Sequence, residues 1–187
     1  YGYDLKSGDV LWQCAGMSSN VVATPVYGND MLYVGSSYEK KILMAINLQG
    51  AQGDLTNTKH MAWTRIRGTP YVPSMLLYDD ALYFLTHYQN IITRVDGPSG
   101  MDQPGVLRLG ELGNIYSSPV AANGHVYVTD LDGTTMVLSH ETTPKLVAVN
   151  RLNESISASA AIDGDEIFFR GDDHLFCIGS RSPPGAK

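Results

Sequence analysis

One eleven-residue pattern occurs four times in the chain, and it limits the fold more than any other feature. It begins with a small hydroxyl-bearing or proline-containing start, continues with an apolar pair and a polar turn, and ends in a hydrophobic–aromatic–hydrophobic run. The first two copies are Thr24-Pro25-Val26-Tyr27-Gly28-Asn29-Asp30-Met31-Leu32-Tyr33-Val34 and Ser74-Met75-Leu76-Leu77-Tyr78-Asp79-Asp80-Ala81-Leu82-Tyr83-Phe84. The others are Ser118-Pro119-Val120-Ala121-Ala122-Asn123-Gly124-His125-Val126-Tyr127-Val128 and Ser159-Ala160-Ala161-Ile162-Asp163-Gly164-Asp165-Glu166-Ile167-Phe168-Phe169. The aromatic falls at Tyr33, Tyr83, Tyr127 and Phe168, so the periods are 50, 44 and 41 residues. Self-similarity at that spacing means a repeat architecture, in which each unit buries its apolar faces against the next.

Each copy reads as strands. Asn29-Asp30, Asp79-Asp80, Asn123-Gly124 and Gly164-Asp165 are hairpin dipeptides, because Asn, Asp and Gly tolerate positive φ. A third strand is expected at 42–47, 91–96, 134–139 and 174–178, and a fourth at 61–66, 105–109 and 145–150. Residues Gly2–Leu5 and Val10–Cys14 read as a lone third and fourth strand. No helical periodicity persists beyond one turn. The fold class is therefore all-β, a β-propeller of four-stranded antiparallel blades, with about four blades' worth of strands. The expected units are a partial blade over 1–15, full blades over about 20–66, 72–109 and 115–151, and a partial blade over 156–178, followed by a tail over 181–187. The polar stretch from Asn47 to Lys59 accounts for the longer first period and reads as an exposed loop.

The stretch Tyr3-Asp4-Leu5-Lys6-Ser7-Gly8-Asp9-Val10-Leu11-Trp12 resembles the repeat of pyrroloquinoline-quinone-like β-propellers, with Asp4, Ser7-Gly8 and Trp12 in the motif positions. Asp96-Gly97-Pro98-Ser99-Gly100 repeats the Asp and Ser-Gly without the tryptophan, and Trp63 holds the outer-strand position without a preceding Ser-Gly. The resemblance implies a tight turn between strands three and four and a tryptophan packed between neighbouring blades. It also implies one of two activities. Quinoprotein dehydrogenases hold pyrroloquinoline quinone and calcium in the central channel; non-enzymatic propellers, including a lipoprotein of outer-membrane β-barrel assembly, keep the repeat without the cofactor. The dehydrogenases carry a vicinal cysteine disulfide. Here the two cysteines are Cys14 and Cys177, which argues against quinone binding. These propellers are periplasmic or secreted, so the resemblance implies that location. The chain opens inside a blade, which implies a fragment of a longer chain, a homodimer of half-rings, or closure on its own strands.

Composition narrows the partners. With 13 Lys and Arg against 19 Asp and Glu, the chain lacks the basic footprint of a nucleic-acid binder. No apolar run approaches the ~20 residues that a membrane helix needs. His60, His87, His125, His140 and His174 never pair at metal-ligand spacing, so no metal site is assigned. The acidic runs at 130–134, 163–166 and 171–174 read as hairpin turns before calcium loops. No nucleophile elbow or P-loop occurs, and no catalytic residue is assigned.

The most unusual stretch runs from Trp63 to Ser74, where one blade passes to the next. Arg65, Arg67 and Tyr71 stand there, with His87 and Tyr88 after the following strand, and Tyr116 holds a homologous position one repeat on. Such connections line a propeller face and carry function more often than strands do. Two readings stand: an inter-blade brace with an arginine on a turn carboxylate, or a ligand site. The leading function is a non-catalytic module that binds a protein, peptide or glycan on one face. The alternative is a fragment of a quinone-dependent or other small-molecule oxidoreductase.

Overall fold

The computed structural model describes residues 1–86, 90–104 and 107–179, Leu107 by its backbone alone. His87, Tyr88 and the expected tail at 181–187 lie outside the described residues, as does the start of the expected strand at 105–109. The chain divides into two compact units, Tyr1–Arg108 and Leu109–Lys187.

In the first unit, β1 (Gly2–Tyr3) and β2 (Val10–Gln13) form a half-blade. Blade two follows as β3 (Val26–Gly28), β4 (Met31–Ser36), β5 (Ile42–Asn47) and, after the short β6 (Gly53–Asp54), β7 (Met61–Arg65). Blade three is β8 (Leu76–Tyr78), β9 (Ala81–Leu85), β10 (Ile91–Asp96) and β11 (Leu107–Arg108). The second unit holds blade four, β12 (Val120–Ala122), β13 (His125–Thr129), β14 (Thr134–Ser139) and β15 (Leu146–Arg151). Its last sheet is β16 (Ala161–Asp163), β17 (Glu166–Arg170) and β18 (Leu175–Gly179). The three four-stranded sheets are antiparallel meanders in chain order, and no helix occurs among the described residues.

The turn chemistry is visible in the backbone. Asn29, Asp30, Asp79 and Asn123 all take positive φ, between 49° and 59°. These turns set β3 on β4 and β8 on β9, with Val26 opposite Tyr33 and Leu76 opposite Tyr83. In two of the repeats the opening hydroxyl accepts a bond from the neighbouring sheet's repeat. The Thr24 N–H donates to Ser74 Oγ at 2.9 Å, and the Ser118 N–H donates to Ser159 Oγ at the same distance. The core of the first unit lies between blades: Tyr33, Leu43 and Ala45 of blade two meet Leu82, Phe84 and Val95 of blade three.

The stretch Asn47–Lys59 departs from the expected exposed loop. Gly53 and Asp54 pair in parallel with Trp12 and Gln13, and Leu55 buries completely among Val34, Ile42, Met44 and Ile46. Leu48 and Leu55, seven residues apart in a polar stretch, give little periodic signal, yet the burial of Leu55 ties the half-blade to blade two.

Candidate functional site: the connection at 65–73

The Asp…Ser-Gly motif is a carboxylate-capped turn. Asp4 Oδ1 accepts the N–H groups of Lys6 and Ser7 at 2.8 Å, and Ser7 Oγ accepts that of Asp9 at 3.2 Å. Those bonds, the Ser7 N–H above all, hold the Asp4 carboxyl below its usual pKa. Asp96 repeats the geometry: its Oδ2 accepts from the Ser99 N–H at 2.9 Å and from the Ser99 hydroxyl. The tryptophan on this second turn comes from the preceding blade. Trp63 Nε1 donates to the Gly97 carbonyl at 2.8 Å, and its ring lies where a Cβ on Gly100 would stand. Trp12 does the same kind of work one blade earlier, packed against Val34, Met44 and Ile46.

The connection itself is clamped on both sides. Ser37 Oγ, in the turn between β4 and β5, donates to the Pro70 carbonyl at 2.7 Å and also contacts Thr69 Oγ1. On the other side the Tyr71 N–H donates to the Leu85 carbonyl at 3.2 Å, and Pro70 bridges to Thr86. Thr69, Pro70 and Pro73 are buried, and Tyr71 is half-buried.

The two arginines have different environments. Arg65 Nη1 bonds Asp102 Oδ1 at 2.7 Å, and its Nε donates to the Arg67 carbonyl at the same distance. Its guanidinium also lies 5.9 Å from the Phe84 ring centre. Arg65 therefore shapes the loop. Arg67 is exposed, and among the described residues its side chain has no hydrogen-bond or ion-pair partner. Beside it, across the Ser37 clamp, the turn at 37–41 presents Tyr38, Lys40 and Lys41 to solvent. Sequence reasoning passed over that turn, although Lys40-Lys41 is the one pair of adjacent cations in the sequence. It likewise passed over Asp102 as the partner of Arg65.

Tyr116 belongs to the second unit and is 51% exposed. Its connection is clamped by an acid. Asp130 accepts the N–H groups of Gly113 at 2.8 Å, Thr134 at 2.7 Å and Asp132 at 3.1 Å, so its oxygens serve the turn. Glu154 does likewise for the turn at 171–174, accepting from the Asp173 and His174 N–H groups at 2.7 and 2.8 Å. Among the described residues no three His, Cys, Asp or Glu side chains converge to hold a metal. A separate apolar cavity of about 290 Å³ lies between the half-blade and blade two, lined by Trp12, Cys14, Met17, Val34, Met44 and Ile46. Burial there, and then Asp54, push the Cys14 thiol up.

No family model matches the sequence, and no curated protein matches it. Solved structures do match. BamB from Moraxella catarrhalis superposes with a TM-score of 0.64 at 13% identity, over 83% of this chain and 41% of its own. The fold is that of a β-propeller. The computationally designed Ika4 protein superposes at 0.68 and 11% identity, over 92% of this chain and 98% of its own. The designed Ika8 protein superposes at 0.69 and 12% identity, over 95% of this chain and 51% of its own. The chain thus spans about half the length of BamB and of Ika8.

Proposed function

We propose that this propeller chain is a non-catalytic binding module that takes a protein, peptide or glycan ligand at the connection 65–73. One observation carries the reading: the loop is fixed by bonds from both flanking blades and by Arg65, and it leaves the Arg67 side chain exposed without a hydrogen-bond or ion-pair partner among the described residues. A loop held in place before binding loses less conformational freedom when a ligand arrives. The half-buried Tyr71 supplies an aromatic beside the charge. The resemblance of residues 3–12 supports a periplasmic or secreted setting and is consistent with a module that works without a cofactor.

Panning a random-peptide display library on the full chain, with Arg67→Ala/Tyr71→Ala in parallel, tests this. Enrichment on the native chain that is lost on the folded double variant supports the reading. Enrichment that survives the double variant, or none on either chain, overturns it.

A further inference from the structure

Most acids of the first unit lie at one end of its sheets, with Lys6 among them, while Glu39 stands on the turn that carries Lys40 and Lys41. The unit's 108 residues hold nine acids and eight cations, close to balance. Six of those acids lie on hairpin turns at one end of the sheets: Asp4 and Asp9 between β1 and β2, Asp30 after β3, Asp79 and Asp80 after β8, and Asp96 at the end of β10. The other three are accounted for separately. Asp102 pairs with Arg65, Asp54 caps Thr56, and Glu39 accepts the Ser19 hydroxyl at 2.8 Å.

The opposite end carries Lys40, Lys41 and Arg67, all exposed, with no ion-pair partner among the described residues. These cations stand with two exposed hydrophobic side chains, Tyr38 at 56% and Ile66 at 67%. The Ser37 clamp ties turn and connection into one surface. Among the described residues of the second unit, turns at its connections are held instead by carboxylates, Asp130 and Glu154.

We infer that this end of the first unit docks an acidic polypeptide segment with interspersed apolar side chains. The inference rests on the binding reading above and names its ligand's chemistry. Unpaired cations beside exposed Tyr and Ile match acidic and apolar side chains in alternation, the spacing an extended peptide provides. Three cations are few for a polyanion, whose affinity grows with the number of charges neutralised.

The probes are a fluorescein-labelled decapeptide of alternating Glu and Leu, its Lys-for-Glu counterpart, and heparin, each titrated into the full chain by anisotropy. The Glu peptide should bind saturably and weaken as salt screens the charges, while the Lys peptide should not bind. Lys40→Glu/Lys41→Glu/Arg67→Glu should lower affinity roughly tenfold or more. Lys6→Glu/Lys59→Glu, placed elsewhere, should leave it within about twofold. If the triple variant melts early, Lys41→Gln/Arg67→Gln replaces it, with a smaller loss of the same sign.

Equal binding of both peptides, no binding of either, or equal loss in the two variants overturns the inference. Heparin binding as tightly as the Glu peptide assigns the surface to polyanions and overturns it too. So does light scattering in which the triple variant abolishes a dimer, since a second copy is then the occupant. Library panning that enriches only neutral or basic peptides sinks the charge assignment and leaves the binding reading intact; panning that enriches nothing sinks both.

Discussion

Gly97 and Gly100 stand where a side chain would meet the neighbouring blade. A Cβ on Gly97 would lie 2.7 Å from the Tyr33 hydroxyl, and one on Gly100 would lie 2.5 Å from the Trp63 ring at a φ of +70°. Trp63 fills that gap, so Trp63→Ala removes both a packed ring and the bond to the Gly97 carbonyl. It should cost about 3 kcal/mol, read as a lower urea midpoint with unchanged slope. A near-native midpoint would mean that the contact contributes little. Glu154 offers a second test. Partial burial pushes its pKa up, but the His174 ring at 2.7 Å and the two backbone N–H groups pull it further down. A depressed carboxyl stabilises the fold above its unfolded pKa of 4.5 and loses that contribution as pH falls through the folded value. Glu154→Gln should therefore flatten the loss of stability below about pH 4.5, measured by thermal melts across acid pH.

Among the elements, the hairpins were legible in the sequence and the stretch at 47–59 was not. Asn29-Asp30 and Asn123-Gly124 announce themselves because few other residues accept their φ, and Tyr33 and Tyr127 after these turns mark the strand. Leu55 lacks any such local rule. It is fully buried in the cluster that holds Met44 and that Trp12 packs against, 42 residues from its Gln13 hydrogen-bond partner, and only the folded chain shows this. Leu55→Ala should cost about 3 kcal/mol and raise amide exchange at Gly53 and Asp54, where β6 leaves β2. Exchange confined to other strands would mean that β6 does not depend on the leucine. The same distinction holds at the site. Arg67 stood out as a cation in a proline-rich loop, whereas Lys40 and Lys41 join it only through the Ser37 clamp, a contact between residues 33 apart. Arg65 could not be separated from Arg67 by spacing, because the difference is a carboxylate, Asp102, from the next blade.

For the whole molecule, two outcomes separate the readings. Pyrroloquinoline quinone with calcium should leave the melting temperature and the quinone absorbance unchanged, because no three His, Cys, Asp or Glu side chains converge among the described residues. A rise of several degrees would favour the oxidoreductase reading, since a ligand of the native state must stabilise it. The second outcome concerns self-association. β18 ends a sheet of three strands, and its Leu175 is 70% exposed with Ile178 at 44%. The edge strand β1 of the sheet β1–β2–β6 likewise exposes Tyr3. Strand edges with apolar side chains are templates for pairing with another chain. A chain with both features should associate as its concentration rises, giving light-scattering masses above its own 20.3 kDa. Leu175→Lys with Ile178→Lys places charge on β18, an edge strand among the described residues, and should shift the mass back toward a single chain. A native chain that stays at 20.3 kDa throughout would mean that neither edge recruits a partner of its own kind.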